Sequence, residues 1–309
     1  MKFASITLCL VASLTSSCAV TYLQLNSTHL QTATEAYLAQ NYELCSDLLS
    51  DLDDDDLIVA AKPEYAFMRG MSAHHLGQTV VSVWQLSNYL SLQKAGAVPA
   101  KMRIASEVLL DYANKYIEGE IKAFWIFSTP GNGYNILEDL AYLGQDAKLQ
   151  AHAIMTLAKY HFSDRRYEDA AFYYKMMLNP DFDSLGWRDR ASYQFTRCRY
   201  FMLIPEKSDE QSIMFALKSA QAYIAGSPPV EAHHYGATDI VNDCITKLAQ
   251  LHLTIAEYYV TIGNQYGAEH HFRLASGEES HGDSSKVGLI PSSNPVAQVA
   301  AQRLAEYAE

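Results

Sequence analysis

Residues that break regular structure are scarce in this chain. It has 15 glycines and 9 prolines among 309 residues, about two-thirds of ordinary usage. With 49% hydrophobic and 19% charged residues, that scarcity excludes disorder, collagen and low-complexity scaffolding, and leaves enough apolar material for a sizeable core. Basic side chains are also outnumbered, 23 against 35 acidic, for a net charge of -12. Phosphate backbones are repelled by such a surface, so nucleic acid is not an expected partner. Motifs for nucleophiles and nucleotides are missing: there is no GxSxG, no P-loop and no dinucleotide fingerprint. The one Gly-rich string, Gly131-Asn132-Gly133, follows a proline with no strand before it and reads as a turn. No enzyme activity and no cofactor are expected.

Cysteine is sparse as well, and its placement points outward from the cell. Residues 1–20, MKFASITLCLVASLTSSCAV, carry one Lys, an apolar run from Phe3 and small residues before Cys18. This is the pattern of a secretory signal, and the run is shorter than the ~20 residues that cross a bilayer. The stretch Leu14 to Cys18 resembles a bacterial lipobox, with Thr15 where an aliphatic residue is usual. The expectation is a signal over 1–17, acylation at Cys18 and a tether over 18–32, with cleavage after Ala19 as the alternative. Loss of Lys2 leaves 22 basic against 35 acidic side chains, a net of -13. Cys9 leaves with the signal, so Cys45, Cys198 and Cys244 remain. Their odd number and wide spacing favour buried thiols over a disulfide framework, with one bridge among them left open, and no Cys/His spacing suggests zinc.

From Thr32 onward the apolar periodicity is helical, and no convincing strand run appears. In 151–178, AHAIMTLAKYHFSDRRYEDAAFYYKMML, one helix is followed by a tight turn at Ser163 to Arg166. A second helix carries Tyr167, Ala170 and Tyr174, and Pro180 stops it. The small residue lets two antiparallel helices approach while the aromatic fills the gap beside it. This scheme resembles a tetratricopeptide repeat. It recurs at 248–275 with Ala268 and Phe272, at 65–90 with Ser82 and Leu86, and at 33–50 with Cys45 and Leu49. A stretched copy pairs 188–203 with 210–225 through Ala216 and Ala220, and 101–117 with 134–143 supply a degenerate pair. The expected fold is all-α, a helical-hairpin solenoid of about five to six pairs plus a terminal helix. Its parts are a repeat region over 33–145 with an insertion near 118–135, a second over 146–275, a polar loop over 276–292 and a terminal helix over 293–309. Asn294 and Pro295 supply the cap and first position of that last helix.

Three histidine pairs, His74-His75, His233-His234 and His270-His271, raise a metal hypothesis. Helix neighbours point about 100° apart and lack the i, i+4 partner of a helical metal pair, so surface or capping roles are expected and no metal is. The acidic run Asp51 to Asp56 lacks the glycine and terminal Glu of a calcium loop and reads as a solvated connection. Among the tyrosines, Tyr160, Tyr173, Tyr174, Tyr258 and Tyr259 fall on paired helices, where most are packing and a few line a groove.

The lipidated signal, the hairpins and the strings RRYEDAAFYYKMML, WRDRASYQF and LAQLHLTIAEYYVTIGNQYGAEHHF together resemble the outer-membrane β-barrel assembly lipoproteins of the BamD type. The resemblance covers most of 33–275. It implies a lipid-anchored, periplasm-facing scaffold that binds the barrel-inserting protein, alongside other assembly lipoproteins, and receives unfolded barrel substrates on its early repeats. The irregular connection after Asp53 and the 118–135 insertion depart from that pattern. The alternative is a periplasmic tetratricopeptide adaptor for cell-envelope or peptidoglycan complexes, because the repeat alone does not fix the partner.

Overall fold

The computed structural model describes residues 28–52, 57, 61–92, 98–123, 127–203, 209–278 and 289–308. Cys18 and the signal lie outside them, as do most of the acidic connection and residues 279–288 of the polar loop. The chain divides into two compact units, Met1–Thr156 and Leu157–Glu309, with the boundary inside one helix.

The fold is all-α, built of helices in consecutive pairs. The first unit holds α1 (28–38), α2 (Tyr42–Ser50), α3 (Lys62–His75), α4 (Thr79–Ser91), α5 (Pro99–Ile117) and α6 (Pro130–Leu143), and it shares α7 (Ala147–Ser163) with the second. The second unit continues with α8 (Tyr167–Met176), a short 3-10 helix (Pro180–Leu185), α9 (Arg188–Phe201) and α10 (Glu210–Ala225). It ends with α11 (Glu231–Thr261), α12 (Gln265–Ser276) and α13 (Pro295–Ala308). Among the described residues this makes six pairs and a terminal helix, within the expected range.

Four of the pairs are closed by one and the same turn. Gln40, Gly77, Arg165 and Gly263 take positive φ values between 59° and 72°. The next residues, Asn41, Gln78, Arg166 and Asn264, cap the following helix with φ between -89° and -83°. Each cap N–H donates to the carbonyl five residues back, Ala36, Ala73, His161 or Tyr259, at 2.8–2.9 Å. Each left-handed residue donates three back at 3.0–3.1 Å. This double bond pattern satisfies carbonyls that a helix end would leave orphaned. The Asn41 and Asn264 side chains then accept the N–H of Leu44 and Gly267.

Counted from the cap, the same positions carry the same burden. Eight residues before it stand Ala33, Gly70, Ala158 and Ala256; four after it stand Cys45, Ser82, Ala170 and Ala268; eight after it stand Leu49, Leu86, Tyr174 and Phe272. All twelve are buried. A Cβ at Gly70 would lie 2.7 Å from Leu86 Cδ2, which shows how closely α3 and α4 approach. Cys45, Ser82, Ala170, Tyr174, Ala268 and Phe272 are among these buried positions. Ala216 is also fully buried, in a core with Leu217, Ala220, Ile240, Cys244 and Ala297. Tyr167 opens α8, and its ring stacks on Phe201 at 5.3 Å.

Several details depart from the sequence reading. Gly131-Asn132-Gly133 is the first turn of α6 rather than a loop, with Pro130 at its start. Glycine is needed there for contact: a Cβ at Gly133 would lie 2.6 Å from the Ala113 carbonyl of α5. The insertion contains a two-residue antiparallel ladder, Lys122 opposite Ser128 and Ala123 opposite Phe127. The first helix of the last pair begins at Glu231, not near 248, and runs 31 residues without a break. Its first half packs with α10, its second with α12 and α13. The terminal helix starts as expected, Asn294 Oδ1 accepting the N–H of Val296 at 3.0 Å.

Replacing Ala170 by Leu should therefore overpack the α7–α8 approach and cost about 1–3 kcal/mol. Phe172→Ala, at a side chain 51% exposed two residues away, should change stability by less than about 0.5 kcal/mol. Urea midpoints at unchanged slope are the readout.

Candidate functional site

In the second unit, α9 and α10 each spend one face on the core and leave another in a groove. The core face of α10 is Ile213, Ala216, Leu217 and Ala220. Its other face, Gln211, Met214, Phe215, Lys218, Ser219 and Ala222, follows the i, i+3, i+4, i+7 spacing of a second stripe. From α9 come Ser192, Phe195 and Thr196, and Leu178 closes the wall after α8. The groove holds about 590 Å³. Through Gln211 and Phe215 it adjoins a further hollow of about 260 Å³ that Arg199, Met202 and Leu203 line.

The groove lining holds one cation, Lys218, and no carboxylate, and a second cation, Arg199, lines the adjoining hollow. Phe215 is 57% exposed. The Arg199 guanidinium carbon stands 5.1 Å from the Phe195 ring centre and 5.7 Å from that of Phe215, held between them by cation–π attraction. Among the described residues no carboxylate lies within ion-pair distance of Arg199 or Lys218, as is also true of Lys159, Lys175, Arg190 and Arg197. At the far end, the Tyr223 hydroxyl donates to Asp189 Oδ1 at 2.8 Å, and His233 Nδ1 lies 2.9 Å from Asp189 Oδ2. Burial, and then the Asp189 carboxylate, hold the Tyr223 hydroxyl well above its ordinary pKa. The Tyr193 ring stacks on His233 at 4.3 Å. This network ties α9, α10 and α11 together.

Among the paired histidines, His74, His75, His233 and His271 contact side chains of another helix, a role the sequence reading did not include, while His74 and His75 also stand in the last turn of α3, with His75 exposed. His74 Nδ1 lies 2.9 Å from the Tyr112 hydroxyl, and burial lowers its pKa. His75 stacks on Tyr42 at 4.1 Å. His271 meets His252, a residue the pair count overlooks because the two are 19 positions apart, with 3.2 Å between their Nδ1 atoms. Among the described residues no three His, Cys, Asp or Glu side chains converge on a metal-sized point. Tyr173 and Tyr174 are buried, and burial pushes the Tyr174 hydroxyl up to about 12. The aromatics of the groove are Tyr223, at its far end, and the pair Phe195 and Phe215. Neither was singled out from the sequence, although the two stripes on α9 and α10 are visible in it once the helices are paired.

Cys45, Cys198 and Cys244 are free and fully buried, and burial pushes the thiols of Cys198 and Cys244 up to about 12. Thiolate is the reacting form, so these thiols are inert while the fold holds. Iodoacetamide at pH 8 should leave all three peptides unmodified in native protein and alkylate all three in urea, read by mass spectrometry.

No family model matches this chain, and no curated protein matches it.

Proposed function

We propose that the chain is a non-catalytic scaffold subunit of the outer-membrane β-barrel assembly machinery, anchored through acylated Cys18 and facing the periplasm. The observation that carries the reading is the hairpin repeated with one turn and one packing register; the stretched α9–α10 pair, which lacks that turn, adds a groove. Arrays of this kind present grooves to extended or helical peptides rather than reacting atoms to a substrate. A protein that handles the barrel-inserting partner and unfolded barrel segments needs such a surface. No helix among the described residues is long and apolar enough to cross a membrane. Membrane attachment in this reading rests on the lipid, where two or more acyl chains hold stably and one holds only marginally.

The second reading, a periplasmic adaptor for cell-envelope or peptidoglycan complexes, draws support from the insertion. Its ladder at Lys122 to Ser128 has no counterpart in the pattern of the assembly lipoproteins and gives the first unit a feature of its own.

Affinity purification from gently solubilised outer membranes separates the two. A C-terminally tagged chain should recover a barrel-inserting protein with periplasmic repeat domains, and Cys18→Ser should move the chain to the soluble fraction. Recovery of peptidoglycan-remodelling or division proteins in its place would establish the adaptor.

A further inference from the structure

We propose that the groove between α9 and α10 receives an acidic amphipathic segment of a partner protein. Its apolar side chains would seat against Phe195, Met214 and Phe215, and its carboxylates would meet Arg199 and Lys218. The proposal rests on the scaffold reading and names what the scaffold's groove takes.

Three observations converge on this occupant. The groove walls are two helix faces with i, i+3, i+4, i+7 spacing, the geometry into which an amphipathic helix lays its own apolar stripe. The charges on those walls are of one sign, in a chain where acidic residues outnumber basic ones 35 to 23. The carboxylates that border the groove are turned to other tasks. Asp189 is held by Tyr223 and His233, and Asp209 accepts the Ser212 N–H at 2.7 Å as the α10 cap. Glu210 lies 3.9 Å from His252.

Arg199 is suited to read a carboxylate. Sandwiched between two rings, its guanidinium is fixed in orientation, so little side-chain freedom is lost when its N–H groups are taken up. A carboxylate reaching it beside the Phe195 and Phe215 rings would be partly shielded from water, where a charge-assisted hydrogen bond is stronger than at an open surface.

The test is a selection of displayed helical peptides on the intact, detergent-solubilised chain, followed by fluorescence anisotropy with the best synthetic peptide. Winners should carry Leu, Phe or Met at i, i+3, i+4, i+7 with Asp or Glu beside them. The double variant Arg199→Glu, Lys218→Glu should bind that peptide at least about tenfold more weakly. Reselection on the variant should return Lys- and Arg-bearing peptides. Because Arg199→Glu gives up the contacts with the Phe195 and Phe215 rings, the fold of the double variant is checked by circular dichroism and urea midpoint, and Lys218→Glu alone, at an exposed side chain, should still weaken binding. Winners without acidic residues, a selection that enriches nothing, or binding indifferent to the charge reversal would overturn the proposal. So would concentration-dependent self-association of the wild-type chain that the double variant abolishes, which would make a second copy the occupant. The assembly role is read separately by co-purification: acidic-peptide binding alongside recovery of the wrong partners would sink that role and leave the groove assignment standing.

Discussion

The structure depends on how closely two helices can approach beside a left-handed turn. At Gln40, Gly77, Arg165 and Gly263 the chain reverses in two residues, which forces the following helix back along the preceding one. The backbones then come so near that only a small residue fits eight positions before the cap and four after it. Ala33, Gly70, Ala158 and Ala256 meet this demand on one helix, and Cys45, Ser82, Ala170 and Ala268 on the other. A larger residue eight after the cap fills the space that remains. Gly and Asn accept the turn backbone at low cost, while Gln40 and Arg165 adopt it against their own steric preference. That two of the four turns lack glycine shows that the packing of the pair, rather than local propensity, holds the reversal.

Much of this was legible in the sequence because each repeat writes its geometry locally. The turn residues, the small residue four beyond the cap and the filler four beyond that stand within a span of ten residues, and Pro and Asn mark the start of α13. What was not legible is what depends on a distant neighbour. Gly133 reads as a loop glycine until α5 lies across it, when its missing side chain becomes the condition of contact with the Ala113 carbonyl. The 31-residue α11 is hard to foresee because its two halves serve different neighbours, and the repeat pattern marks only the second. The His252–His271 contact joins residues that no local motif relates.

The groove follows from the same logic by exception. Where α9 and α10 are joined by a longer connection instead of the tight turn, the pair still buries Ala216 and Ala220 at its core, but Phe195, Met214 and Phe215 are left on its other side. Regular hairpins leave apolar side chains exposed too, Trp84 and Phe172 among them, but at the stretched pair Phe195, Met214 and Phe215 line a groove. The Asp189, Tyr223 and His233 network joins α9, α10 and α11 at the groove's far end. Function in this account sits where the repeat is least regular.

The account stands or falls on the claim that small residues set the helix approach, and a double-mutant cycle at Gly70 and Leu86 tests it most directly. Gly70→Ala alone adds helix propensity worth about 1 kcal/mol but drives a Cβ into the Leu86 side chain, while Leu86→Ala alone opens a cavity. The cycle cancels propensity and isolates contact. The account predicts that the double variant is more stable than the sum of the single effects allows, by at least about 1 kcal/mol in urea unfolding. Additivity within about 0.5 kcal/mol would contradict it.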